Sequence, residues 1–463
     1  MPPSSDRLSA SDMSSLLAER GPIHVHVGAT IIVRGEPPAF RELVEHVEGR
    51  LSLIPRFRQR ITSVGTMALS NPVWADDPRF DIERHVRRVA LPTPGGMAEL
   101  RELVGRVMSE PLDLTRPLWQ LYLVEGMEGG RHAYVNKTHH ALVDGVAAID
   151  VGTIILDATE DGHRVEVSEE RWEPDEPSPE LLFVRDASDR IRAPLRVARK
   201  AAREALTMPR STAGRVMRTG EGFAKLAASG PTAPRTFLNQ EIGRDRRVGF
   251  VDTELELLKS IRGTSGATVN DVILSVSAGA LRRLFERRGE ELPEHLVALV
   301  PMSIRRPGED LELGNRIATL LVRLPIAEID PAARLEWIHS ETARLKQSEQ
   351  ATAASLIIEA TGWTPPTINR VLAGAISRPL VFNLVVSNVP GPQMPFYLLG
   401  RRLEAIYPFV PLSPQNHALT IGVLSYDGLV HFGLAGDRDL LGDLELLGAD
   451  LGESLAEQAG AYP

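Results

Sequence analysis

Residues 119–156 constrain this chain more than any other stretch. Two strand-like runs, 119–125 and 132–138, flank Gly129-Gly130, and a glycine pair between such runs marks a turn. The second run, Tyr134-Val135-Asn136-Lys137-Thr138, delivers two adjacent histidines, His139-His140, at its end. Residues 145–156 then read as an apolar helix of small residues. Side chains alternate across a strand, so the two rings should face opposite ways. Only one can look into a given cleft, which leaves the other to hydrogen-bond the scaffold. Spacing alone does not say which.

The rest of the first part mixes helices and strands. Residues 23–33 are rich in β-branched side chains and predict a strand. Residues 40–53 have helical spacing after the breaker Pro37-Pro38, and 97–108 repeat that pattern. This is an α/β or α+β arrangement. The first dozen residues, small and polar, are expected to be disordered. A length of 463 residues is too great for one ordinary core and suggests two domains, with three possible. We divide the chain into a first unit over 1–160, a connector over 161–235 and a second unit over 236–463. The connector opens acidic and proline-rich. Over 185–225 it changes sign, with eleven Arg and Lys against four acids, interleaved with apolar residues such as Leu195, Leu206 and Phe223. Such a basic amphipathic segment is either a solvated interdomain helix or a surface for anionic lipid. The second unit reads as strands at 247–253, 296–302, 317–324, 384–388, 418–425 and 430–434, with helices at 267–287 and 439–458. Asp427-Gly428 marks a hairpin turn.

Composition removes several functions. A net charge of -9 and 5% aromatic residues fit neither a phosphate-binding footprint nor a base-stacking surface, so no nucleic-acid partner is expected. The chain has no cysteine, hence no disulfide, thiolate metal site or cysteine nucleophile, which fits a reducing cytosol. The start lacks the charged and apolar regions of an export signal, and no long apolar run predicts a membrane span. The expected location is cytoplasmic, with lipid contact only from the surface.

A neutral imidazole can accept a proton from a hydroxyl near neutral pH. The bare His139-His140 pair, with Asp144 and Gly145 beyond it, admits catalysis, a structural role or a metal site. No third histidine or cysteine lies nearby in sequence to complete a zinc site, and His-Glu-x-x-His is absent, so no metal is expected. Gly-x-Ser-x-Gly, the P-loop pattern and a strand-coupled Gly-x-Gly-x-x-Gly are also missing, which disfavours serine hydrolysis, nucleotide hydrolysis and dinucleotide binding. Chemistry with one base and no covalent enzyme intermediate remains.

His139-His140-Ala141-Leu142-Val143-Asp144-Gly145 resembles the HHxxxDG motif of the coenzyme-A-dependent acyltransferase superfamily, which includes peptide-synthetase condensation domains. Other landmarks narrow the resemblance. Pro117-Leu118-Trp119, Asn270-Asp271, and Ser387-Asn388-Val389-Pro390-Gly391-Pro392 are similar to the PLW, ND and SNVPGP motifs of bacterial wax ester synthase/diacylglycerol acyltransferases. The opening Leu8-Ser9-Ala10-Ser11-Asp12, with Glu19 beyond it, resembles their start. The landmarks run in family order over nearly the whole chain.

The resemblance implies a two-lobed, chloramphenicol-acetyltransferase-like or condensation-domain-like fold with a tunnel between lobes. It implies acyl-CoA as co-substrate with no cofactor, diacylglycerol or a long-chain alcohol as acceptor, and contact with a membrane or lipid-droplet surface. It makes His140 the general base, with His139, Asp144 and Gly145 supporting the catalytic motif. Asn270, Asp271, Trp119 and Glu19 would bind or position substrate, although Asn270 could instead cap its helix and Trp119 could pack in the core. Arg305 could pair with Asp144, and Ser387-Asn388 would shape a turn. Two alternatives stand beside this reading. One is a condensation-like acyltransferase acting on a carrier-bound substrate, and the other is a non-catalytic lipid-surface binding protein.

Overall fold

The computed structural model describes residues 8, 10–19, 21–62, 72–142, 155–162, 172, 174, 233–303, 317–347, 382–412 and 417–462. Helix α1 (Ala10–Ala18) precedes strand β1 (His26–Arg34). It includes residues expected to be disordered, because Met13 and Leu16 are buried. Helix α2 (Phe40–Arg50) buries Leu43, Val44 and Val47, the i, i+1, i+4 face that its spacing predicts. After the short pair β2 (Gln59–Thr62) and β3 (Val73–Asp76) come β4 (Val86–Ala90) and α3 (Met97–Ser109). Then β5 (Trp119–Met127) and β6 (Arg131–His139) form the expected hairpin. Gly129 and Gly130 turn it at φ 74° and 63°, backbone angles that favour glycine.

The second part starts with β7 (Arg246–Glu254), α4 (Leu255–Ser265) and α5 (Val269–Arg288), which is buried without a break from Asp271 to Leu281. It continues through β8 (Leu296–Ser303), β9 (Ile317–Leu324), α6 (Pro331–Gln347) and β10 (Leu384–Pro390). The short β11 (Tyr397–Leu398) and β12 (Arg401–Phe409) follow. The chain closes with β13 (Leu419–Tyr426), β14 (Leu429–Asp437) and α7 (Leu444–Gly460). Asp427 at φ 44° and Gly428 at φ 83° make the turn expected between the last two strands.

Two six-stranded sheets result, ordered β11-β12-β1-β6-β5-β4 and β7-β14-β13-β10-β8-β9. They do not divide the chain at residue 236. Strands β11 and β12 leave the second part and join the first sheet, where β12 pairs antiparallel with β1. The expectation of one lobe per contiguous unit therefore needs this correction: the first sheet is completed by residues 397–409. The physical reason is edge closure. Strand β12 alternates buried Leu403, Ala405, Tyr407 and Phe409 with more exposed residues, and this face packs into the first sheet's cores. The basic stretch 185–225, the predicted helix over most of 145–156, Asp144, Gly145 and Arg305 lie outside the described residues. Among the described residues no helix is long and apolar enough to cross a membrane.

Strand β12 also crosses close to β14. A Cβ at Gly433 would collide with the carbonyl oxygen of Pro408. Gly433→Ala should therefore destabilise the fold by about 2–3 kcal/mol, read from urea unfolding, by forcing the two sheets apart at this contact. Two buried histidines give the fold a pH dependence. Burial pushes His85 and His132 below the usual imidazole range, opposed in part by hydrogen bonds to the carbonyls of Trp119 and Gly35. Their folded pKa values lie below the unfolded ones, so their contribution is full above about pH 6.5 and is lost as the pH falls. The melting temperature should drop from pH 7.5 to 5.5, and His132→Gln should flatten part of that slope.

Candidate active site

Strand β6 holds His139 opposite His26 of β1, so both rings project from the same side of the sheet. His139 is fully buried. Its Nδ1 accepts the backbone N–H of Ala141 at 3.0 Å, which leaves Nε2 to carry the proton. Nε2–H donates to Glu19 Oε2 at 2.8 Å. Both ring nitrogens are thereby engaged. His140 follows where the strand ends. It is half-buried, and its backbone N–H donates to the Val25 carbonyl at 2.9 Å. The Leu142 N–H closes the turn on the His139 carbonyl at 2.9 Å.

Glu19 enters from the end of α1. Burial would raise its carboxyl, but the hydrogen bond from His139 and the close imidazoles of His24 and His26 outweigh it and hold it down at about 2. Glu19 and His24 also border a cleft of about 540 Å³, whose walls include Arg106, Glu110, Leu112 and Arg244. Lys137, on the same side of β6 as His139, is buried with its ammonium on the carbonyls of Val107 and Glu110. Burial lowers it to about 8.

A second group of expected site residues meets at the start of α5. Thr268 caps this helix, and with Asp271 it forms a capping box. Asn270 is thus not the cap. Its Oδ1 accepts from Asn388 Nδ2 at 3.5 Å, and its own Nδ2 is shut off from solvent with no hydrogen-bond partner among the described residues. Asp271 points elsewhere. Its buried carboxylate accepts from the Thr268 backbone, from His339 at 2.9 Å and from the Thr342 hydroxyl at 2.7 Å. Those contacts make it an anchor between α5 and α6. Asn388 and Ser387 lie on β10, beside Val423 and Gly422 of β13. The turn after β10 needs glycine at 391, where a Cβ would strike the Ser425 carbonyl.

Trp119 is also committed elsewhere. It is buried, its indole N–H donates to the Phe57 carbonyl at 2.7 Å, and its ring stacks on His85 at 4.7 Å. Of the residues singled out from sequence, the structure brings Glu19 to His139 and Asn270 to Asn388. It sets Trp119 and Asp271 in packed surroundings. Sequence reasoning passed over His24 and His26, although two histidines at a spacing of two on a strand must share a face.

The two-sheet fold agrees with the comparisons to known proteins. Residues 8–273 match the model of the wax ester synthase/diacylglycerol acyltransferase catalytic domain, and 313–458 match the C-terminal domain of the same family. The chain belongs to the wax ester synthase/diacylglycerol acyltransferase family. Its activity class is acyl transfer. A Mycobacterium tuberculosis protein named as a probable diacylglycerol O-acyltransferase is 33% identical, with 98% of each chain covered. The wax ester synthase/diacylglycerol acyltransferase of Marinobacter aquaeolei VT8 superposes with a TM-score of 0.68 at 28% identity, over 98% of this chain and all of that one. The first condensation domain of the CDA synthetase shares the two-lobed fold, with a TM-score of 0.60 at 16% identity over 99% and 98% of the two chains.

Removing the Glu19 acceptor strands a buried imidazole N–H. Glu19→Ala should cost about 1.5–3 kcal/mol in urea unfolding, and Glu19→Gln, which keeps an acceptor oxygen, should cost less.

Proposed function

We propose that the chain moves a long-chain acyl group from acyl-CoA to diacylglycerol, to a long-chain alcohol, or to both, with His140 as general base. The observation that carries this reading is the saturation of His139. A ring with Nδ1 filled by a backbone N–H and Nε2 committed to a carboxylate has no lone pair left for a substrate proton. His140, half-buried and next in the chain at the strand end, is the other histidine of the motif and is the base proposed.

In the proposed reaction His140 takes the acceptor hydroxyl proton as the oxygen attacks the thioester carbonyl. The carbonyl electrons move onto oxygen and form a tetrahedral oxyanion. Asn270 Nδ2, out of water and unpaired among the described residues, is the donor proposed to meet that charge. The carbon–sulfur bond then breaks, the carbonyl re-forms, and coenzyme A sulfur takes the proton back from His140. The acyl chain lies in an apolar tunnel between the lobes, where each buried CH₂ contributes about 0.8 kcal/mol to binding. Asp144, paired with Arg305, and Gly145 would shape the loop after His140. The names of the mycobacterial and marine relatives support diacylglycerol and alcohol acceptors. Lipid acceptors also call for contact with a membrane or lipid-inclusion surface, for which the basic stretch 185–225 is the proposed element.

The test uses the purified full chain with radiolabelled palmitoyl-CoA and either dioleoylglycerol or hexadecanol. Wild type should form triacylglycerol, wax ester or both. His140→Ala should fold and lose about 10²–10⁴-fold in kcat. Asn270→Ala should lose about 10²–10³-fold in kcat with little change in KM. Full activity in His140→Ala would overturn the base assignment, and release of free coenzyme A with no acylated product would overturn the acceptor assignment.

A further inference from the structure

The stretch between α1 and β1 gathers three potential ligands that the acyl-transfer reading does not use in full. His24 and His26 lie on one face of the chain entering β1, their rings stacked with centroids 5.4 Å apart and planes 9° from parallel. Glu19 is brought back over them by a reversal at Gly21, φ 57°. Glu19 Oε1 lies 3.7 Å from His24 Nδ1 and 3.9 Å from His26 Nε2. The ligand atoms of all three residues fall within 4.8 Å of one another.

Hydrogen bonding gives the second observation. His26 is fully buried and His24 is 8% exposed, yet neither nitrogen of either ring makes a hydrogen bond among the described residues. Buried polar atoms without partners are costly, and two whole imidazoles in that state around one carboxylate ask for a common partner. We propose that Glu19, His24 and His26 form a binding site for one divalent transition-metal ion of the zinc class.

The donor set suits such an ion. Two imidazole nitrogens and one carboxylate oxygen make a three-ligand site, and two of its residues, Glu19 and His24, also line the cleft through which a fourth ligand could enter. Bonds of about 2.0–2.2 Å in a tetrahedral shell place ligand atoms roughly 3.3–3.6 Å apart. The two Glu19 distances need to close by only a few tenths of an ångström, and the two imidazoles, now near-parallel, would turn to bring both lone pairs onto the ion. Glu19 Oε1 would bind the ion while Oε2 keeps its bond to His139, the outer-shell pattern in which a ligating carboxylate is itself hydrogen-bonded. Lys137 is the opposing charge felt by His26, and its ammonium is turned onto the carbonyls of Val107 and Glu110. The ion would clamp the end of α1 to the start of β1 and hold Glu19 against His139. This is a structural and positioning role, and it stands whether or not the chain acylates diacylglycerol.

The test takes the untagged full-length chain, strips it with a chelator and titrates it with Co²⁺ and then Zn²⁺. Binding is followed by calorimetry, by the ligand-field spectrum of Co²⁺ and by the melting temperature. Wild type should bind one equivalent, show a tetrahedral Co²⁺ spectrum that Zn²⁺ abolishes, and melt higher when loaded. His24→Ala and His26→Gln should each weaken binding by about tenfold or more and lose the thermal shift, while His295→Ala, away from the cluster, should bind as wild type. His24, nearer the surface, keeps the test available if the His26 variant does not fold. Absence of a stoichiometric site in wild type, or equal binding by wild type and His24→Ala, would overturn the assignment.

Discussion

Insertion of β12 beside β1 is the constraint on which the rest of the structure depends. Strand β1 is held on one side by β6 over its whole length, from His26 opposite His139 to Arg34 opposite Arg131. On the other side it is held by residues 403–409 of β12. A strand from late in the sequence thus completes a sheet begun at its start. Ten residues separate it from β10 and nine from β13, so the strand bearing Ser387 and Asn388 is tied to the sheet bearing the histidine pair. The cores record the same tie, with Tyr426 and Leu424 of β13 packed among Trp119, Leu121 and Tyr134 of the first sheet. Bringing together segments so far apart in sequence has a loop-closure cost, which the apolar area buried at these joints must exceed.

Within that frame the two histidines have unequal environments, and this follows from where β6 stops. His139 is the last ladder residue, so its ring stays on the sheet face beside His26 and is buried there. His140 has left the ladder and sits in a turn held by the Val25 carbonyl. Adjacent residues of one type therefore differ in burial through one residue of register. Alternation across the strand says that only one ring can look into a given cleft, and the contacts of Ala141 and Glu19 fill both nitrogens of His139.

Much of the fold was legible because its signals are local. The hairpin at Gly129-Gly130, the turn at Asp427-Gly428 and the apolar faces of α2 and α3 all agree with their sequence periods. Strand β12 was not recognised, although Leu403, Ala405, Tyr407 and Phe409 alternate with period two, because no local signal names β1 as its partner. The first turn of α1, Ala10 to Asp12, falls in the stretch whose small polar residues predict disorder. Burial of Met13 and Leu16 decides for helix, and that is tertiary information. At the site, motif order located Asn270 and Asn388, and their meeting is a property of the packed chain. Trp119 and Asp271 show the converse. Their motifs mark them, yet an indole N–H on Phe57 and a carboxylate shared by Thr268, His339 and Thr342 are contacts of packing.

Those contacts suggest how to separate scaffold from site in this chain. Where a buried polar group has all its partners, as in Asp271 or His139, its free energy is already balanced and a ligand would have to displace a hydrogen bond to reach it. Asn270 Nδ2 and the rings of His24 and His26 are in the opposite condition, desolvated and without hydrogen-bond partners among the described residues. A ligand oxygen or a cation meeting them displaces no protein hydrogen bond, so the whole interaction contributes to binding. Glu19 joins the two conditions. One of its oxygens is committed to His139 and the other faces the two unbonded rings, so whatever settles on that second oxygen also fixes the geometry of the strand end from which His140 projects. The N-terminal helix is thereby coupled to the acyl-transfer motif through a single carboxylate.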